Sequence, residues 1–359
     1  MLTRVTDSVT STHLKLAVST MTYPTRLALF VSVAALLSAA AWQACSAGDA
    51  PQAPTAVTNQ HPWTVPDINT LPDDTWGKTV RYGRDLINKT STLIGPEVRD
   101  ASKRFAGNNL DCQNCHIEGG AKEFGLPLVG VSAKFPSYFA RTGRVGTLED
   151  RIQGCMERSM NGKPLPIDGA EMTALVSYMK FLSTGRAIGS DTFGSDAGRI
   201  KELQRAADPV KGRTVYANTC AGCHGDNGQG QRNGAVGDAK GYLFPPLWGP
   251  DSFNDGAGMD KLINTANFVH SDMPEGTSWK NPIVSREDAW DVAAYVISQP
   301  RPAMANLDKD YPNRLEKPID TPYGPYADTF SAEQHKYGPF GPIAAAIKAL
   351  DANREQPHD

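Results

Sequence analysis

The chain has 359 residues, 36 Lys and Arg against 39 Asp and Glu, a formal net charge of −3 and six cysteines. Near-balanced charge without a Lys/Arg run lacks the basic footprint that nucleic acid or anionic lipid requires, so any anion site must be local and no nucleic-acid partner is expected. The length suits two ordinary domains plus extensions, each able to bury its own core.

In chain order, Arg26 precedes the apolar run from Leu27 to Ala41, which ends in small residues. A positive flank, a short apolar core and small residues read as an export signal over 1–45, shorter than the roughly 20 residues of a membrane span. No transmembrane span is expected in the mature chain, and export implies the periplasm. Met21 is a more ordinary start for such a signal than Met1, which would leave 1–20 untranslated. Cys45 leaves a lipid anchor open, against plain cleavage near Ala44 or Ala47; Trp42-Gln43-Ala44 lacks the leucine that lipidation sites carry. Residues 46–74, rich in Pro, Ala, Thr and Asp without an apolar period, predict an extended arm.

Residues 75–185 read as a helical domain. Thr75 to Ile94 carries Trp76, Val80, Leu86 and Ile87. Cys112-Gln-Asn-Cys115-His116 follows. Thr147 with Asp150 forms a capping-box pattern opening a helix through Met160, and Asp168 with Glu171 predicts another that carries Met172, Leu175, Val176, Met179 and Leu182. Gly162-Lys-Pro164 and Gly185 supply stops. Residues 186–207 read as a linker, and 208–300 repeat the plan. Asp208-Pro209 starts a helix toward Cys220-Ala-Gly-Cys223-His224, Met259 to Val269 suggests another, and Ser285 with Asp288 opens a last one through Ser298. Leu126-Pro127-Leu128-Val129-Gly130 after the first Cys-x-x-Cys-His is echoed by Pro245-Pro246-Leu247-Trp248-Gly249 after the second. The Gly225 to Gly241 stretch follows no predicted strand and lacks a Gly-Lys-Ser/Thr ending, so it is not read as a phosphate loop. Residues 301–359 read as a Pro-rich tail draped on the surface. No alternating strand pattern of useful length occurs.

Cys-x-x-Cys-His is the attachment sequence of haem c: two thiols add across the vinyl groups and the histidine binds iron. A bare Cys-x-x-Cys would also admit zinc or thioredoxin-like chemistry. Two copies, each followed by His in an exported helical chain, point to an all-α fold of two cytochrome c-like domains in tandem, each enclosing one covalently attached haem c. Cys112, Cys115, His116 and Cys220, Cys223, His224 are the expected attachment residues. Each iron then needs a sixth ligand. In the second domain Met273, in His270-Ser-Asp-Met273-Pro274, is preferred, with His270, Met259 and Met304 as alternatives. In the first, Cys155 stands 39 residues after His116; Met156 and Met160 compete with it, and a buried apolar thiol or a disulfide to Cys45 are its other readings. Arg151, Cys155 and Ser159, at i, i+4 and i+8, line one helix face. A guanidinium one turn away favours a thiolate and offers a bidentate anchor for an oxyanion. Arg141 and Arg144 in the preceding loop add charge; a solvated side chain or a haem propionate partner is the plain alternative for any of these arginines.

The segment "RIQGCMERSMNGKPLP", lying between the two Cys-x-x-Cys-His units and followed by Met273-Pro274, resembles the tetrathionate-forming thiosulfate dehydrogenases over roughly residues 75–300. The resemblance implies that His116 and Cys155 ligate a first, active-site haem with Arg141, Arg151 and Ser159 around the substrate. His224 and Met273 would ligate a second haem that passes electrons onward. Some members have a lysine directly before this methionine that exchanges as ligand; Asp272 stands there, so no such switch is expected. The implied reaction joins two thiosulfate ions into tetrathionate, with Cys155 leaving the iron to hold one of them, and passes two electrons to a small c-type cytochrome or an oxidase. Tetrathionate reduction is the same chemistry reversed. The alternatives are a dihaem electron carrier without its own substrate and the haem subunit of the multienzyme sulfur-oxidising system.

Overall fold

A computed structural model describes residues 60–196 and 198–355. The expected export signal, Cys45 and most of the extended arm lie outside them. Each half is organised by one close helix crossing. In the first, the helix Thr75–Asn88 packs on Ala170–Phe181. They approach at Gly83, where a Cβ would sit 2.0 Å from the Ala174 carbonyl oxygen. In the second, Pro209–Val215 packs on Arg286–Ser298, and a Cβ at Gly212 would sit 1.9 Å from the Asp291 carbonyl oxygen. Only glycine permits either contact. The two halves therefore repeat one packing device.

Capping residues set where these helices begin. The Asp74 carboxylate accepts from the Gly77 amide, Asp208 from those of Val210 and Lys211, and the Ser285 hydroxyl from that of Asp288. Each satisfies amides that would otherwise lack partners. Thr147 and Asp150 form the expected capping box at the helix Leu148–Arg158. The box expected at Asp168 and Glu171 does not form. Gly169 is the N-cap without a side-chain bond, because Glu171 is drawn inward to the Tyr82 hydroxyl (3.2 Å) and the Lys103 ammonium. Among the described residues the strands are two or three residues long and pair only as three two-stranded ladders, so the fold is all-α, as expected.

The first core gathers Val80, Leu86, Ile152, Met156, Met172 and Leu175; the second gathers Leu262, Ala266, Trp290, Ala294 and Ile297. The segments expected to be peripheral contribute to both. Trp63, Ile68 and Leu71 pack on the first core; Leu203 and Ala207, read as linker, are buried in the second. Beyond residue 300 the chain is not simply draped. It forms the helices Ala332–Tyr337 and Gly341–Glu355 and inserts Phe340 and Ile343 beside Trp290. Proline content hid this, because the anchors are few and separated by turns. Among the described residues no helix is long and apolar enough to cross a membrane.

Candidate active site

The two Cys-x-x-Cys-His units occupy tight helical turns at Cys112–Asn114 and Ala221–His224. The echo noted after each unit has a structural meaning. His116 Nδ1 lies 2.5 Å from the carbonyl oxygen of Leu126, and His224 Nδ1 lies 2.8 Å from that of Pro245. A carbonyl can only accept, so each Nδ1 carries the proton and each Nε2 keeps its lone pair for a metal. Burial lowers the pKa of both imidazoles, which keeps them neutral.

The thiols fit covalent attachment better than thiolate chemistry. Burial pushes Cys112 up to about 12 and both Cys115 and Cys220 up to about 11. A zinc or redox Cys-x-x-Cys needs the opposite shift. Nor do three or more His, Cys, Asp or Glu side chains converge as a metal cluster among the described residues. Neutral thiols beside a histidine with a free Nε2 match what haem c requires, and the donor set therefore fits that group at both positions.

Cys155 sits in the last turn of Leu148–Arg158, half-buried and without a disulfide partner among the described residues. The adjoining face of this helix, Leu148, Ile152 and Met156, is buried in the first core together with Met160. The two methionines that compete with Cys155 are thus core residues. After burial, the next influences raising Cys112 and Cys115 include a charge on Cys155, and Arg151 lowers His116. The fold therefore gathers Cys155 and Arg151 around the first attachment unit. Arg151 is exposed. Ser159 keeps helical dihedrals as the C-cap (φ −69°, ψ −40°), so it stays on the face of Arg151 and Cys155; its carbonyl accepts from Asn108 Nδ2 at 3.0 Å. Arg141 approaches from the loop between two short strands. It donates to the Gly256 carbonyl (3.0 Å) and lies over the Tyr311 ring at 5.7 Å. Burial works against its charge, but Tyr311, Tyr323 and Asp310 more than offset that and raise its pKa. Arg144 instead pairs with Asp150 at 3.0 Å.

In the second half, Val269 packs on a cluster of Tyr216, Trp248, Val292 and Cys220. Met273, one turn further along, caps the helix Leu262–Asp272 and is half-buried. His270 lies around the helix from Val269, with its Nδ1 buried and unpartnered. Met304 Sδ packs at Gly256 beside Arg158 and Leu307. Asp272 is fully buried and faces Lys122 of the first half at 2.9 Å; the same ammonium donates to the Thr277 carbonyl at 3.0 Å. Lys122, Asn108, Arg158, Asp310 and Tyr311 all shape the two sites, and sequence reasoning missed them. They act across separations of up to 170 residues, from Arg141 to Tyr311, which no local spacing encodes; the charge of Asp272 next to the expected ligand was the one available signal.

Residues 102–188 match the family described as SoxA/TsdA, cytochrome c domain, and residues 209–300 match that described as Cytochrome c. Two cytochrome c-type domains therefore stand in tandem, as expected. The chain is 38% identical over 250 residues to a thiosulfate dehydrogenase of Psychrobacter arcticus, covering 69% of this chain and 71% of that one. It is 40% identical to one of Allochromatium vinosum, covering 67% and 84%. A solved thiosulfate dehydrogenase (TsdBA) from Marichromatium purpuratum superposes with a TM-score of 0.61 at 32% identity over 68% of this chain; the chain spans 50% of that larger protein's length.

Proposed function

This chain belongs to the thiosulfate dehydrogenase family, and from that premise we propose that it is a dihaem enzyme which oxidises two thiosulfate ions to tetrathionate in the periplasm. The observation that carries this reading is the company of Cys155: a lone half-buried thiol on one face with Arg151 and Ser159, gathered toward Cys112, Cys115 and His116. A plain electron carrier needs no such face.

We assign Cys112, Cys115 and His116 to hold the first haem c and Cys220, Cys223 and His224 the second, with Cys155 and Met273 as the further residues that would bind the two irons. Two attached haems would supply a sink for the two electrons that the reaction releases. The remaining chemistry belongs to the side chains. Two dianions must meet, so Arg141 and Arg151 offset their repulsion and orient the sulfonate ends, with Ser159 offering a hydroxyl. The Cys155 thiolate forms an S–S bond to the sulfane sulfur of one thiosulfate as two electrons leave. The sulfane sulfur of a second thiosulfate then attacks the outer sulfur of that disulfide; the cysteine–sulfur bond breaks, tetrathionate departs and the thiolate returns. The electrons pass onward to a small c-type cytochrome or an oxidase. Asp272, engaged with Lys122, stands where a ligand-exchanging lysine would be, so no ligand switch operates at the second iron.

The test is direct. The haem-loaded protein should form tetrathionate from thiosulfate with ferricyanide as acceptor, and Cys155→Gly should lose that activity while keeping both haems attached. Turnover retained in Cys155→Gly would overturn the assignment.

A further inference from the structure

Arg158 ends the helix that presents Cys155, and its partner comes from a segment that the haem domains do not need for covalent attachment. Its Nη2 donates to Asp310 Oδ1 at 2.8 Å and its Nη1 to Asp310 Oδ2 at 2.9 Å, a planar fork on a carboxylate. The side chains are 13% and 9% exposed. Such a pair is held by geometry and poorly screened, unlike a surface ion pair. The Tyr323 hydroxyl donates to Asp310 Oδ2 at 2.7 Å, so that oxygen accepts from both Tyr323 and Arg158.

The clamp reaches further. Arg158 Nη1 also donates to the Gly256 carbonyl at 3.1 Å, the oxygen that accepts from Arg141 at 3.0 Å. The Tyr311 ring lies under the Arg141 guanidinium, and the Tyr311 amide donates to the Arg141 carbonyl at 2.8 Å. One short stretch, 310–323, thus fixes the end of the Cys155 helix and one of the two arginines assigned to the substrate. Arg158 also places a cation at the helix C-terminus, where the unpaired carbonyls favour it.

We propose that the C-terminal segment is part of the first haem site, with Asp310 as a positioning residue that sets where Cys155 stands. This rests on the assignment of Cys155 given above. Asp310 touches no reacting atom; it acts through Arg158. Losing the carboxylate's charge frees the last helical turn, so Cys155 spends more time away from its bonding position.

The experiment uses the full haem-loaded chain and three variants, Asp310→Asn, Asp310→Glu and Tyr323→Phe. In substrate-free ferric protein, alkylation of Cys155 by iodoacetamide, followed by peptide mapping, reads its release. The electron paramagnetic resonance signal of thiolate-ligated iron reads its presence. Asp310→Asn should speed alkylation about tenfold and diminish the thiolate signal, with kcat falling on the order of ten- to a hundredfold, as displaced reacting groups do. Asp310→Glu should recover part of both readouts, and Tyr323→Phe should fall between wild type and Asp310→Asn. The second haem's signal serves as the folding control. Should Asp310→Asn lose that control, Tyr323→Phe decides, since it removes one hydroxyl only. Wild-type alkylation and thiolate signal in the variants overturn the clamp even if thermal stability drops. A wild-type protein without the thiolate signal overturns the Cys155 assignment itself, a distinguishable outcome.

Discussion

Phe340→Ala tests whether the chain beyond residue 300 is core or covering. Phe340 is 1% exposed and meets Trp290 edge-to-face, with ring centroids 5.8 Å apart and planes at 79°. Ile343, Leu262 and Ala266 complete its surroundings, all fully buried. Truncating a buried phenylalanine costs about 3–5 kcal/mol through lost transfer energy and the cavity left behind. The large indole of Trp290 limits collapse into that cavity, so the cost should lie near the middle, about 4 kcal/mol. For a chain of this size that corresponds to roughly 5 °C in melting temperature. A residue on a draped tail would cost less than about 0.5 kcal/mol. Guanidinium titration of the haem-loaded protein, followed by tryptophan emission, measures the difference. A loss below about 1 kcal/mol would refute the placement of Phe340 in the second core.

Thr147→Ala removes half the capping box of the Cys155 helix and should cost about 1 kcal/mol in the same titration. Lys122→Met strands the fully buried Asp272 carboxylate and should cost about 3 kcal/mol, with the methionine signature of the second haem weakened in visible spectra; an unchanged denaturation midpoint would count against the pair. At Glu171, burial works to raise the pKa, but the Lys103 ammonium and the Tyr82 hydroxyl more than offset it and hold the carboxyl below its ordinary 4.5. The folded state thus favours the carboxylate, whose contribution is complete above about pH 4.5 and is lost as pH falls through the lower folded value. Glu171→Gln should therefore flatten the acid side of the stability profile, trailing wild type at neutral pH and converging with it in acid. Parallel profiles would contradict this.

The helices and the two attachment units were legible because their signals are local. Asp208-Pro209, Ser285 with Asp288 and Thr147 with Asp150 each declare a helix start within four residues, and the structure uses all three. Glu171 misled for an instructive reason. Its spacing from Asp168 satisfies the capping pattern, yet Tyr82 and Lys103, distant in sequence, bind it more effectively than the helix end does. The face of Arg151, Cys155 and Ser159 was also readable, since it depends only on helical periodicity. What holds that face was not. Asp310 and Tyr323 reach it from the far end of the chain, and Asn108 and Asn254 tie its last turn to residues that no repeat connects. The Leu126-Pro127 and Pro245-Pro246 echo signalled duplication; its chemistry, a carbonyl acceptor for each histidine, emerged only with the geometry.

Electron paramagnetic resonance of the oxidised, substrate-free protein reports whether the Cys155 thiolate binds iron. Two low-spin ferric species are expected, one with the thiolate signature and one with the histidine–methionine signature, and Cys155→Gly should erase the first while leaving the second intact. A wild-type spectrum without a thiolate species, or a thiolate species that survives Cys155→Gly, would contradict that binding.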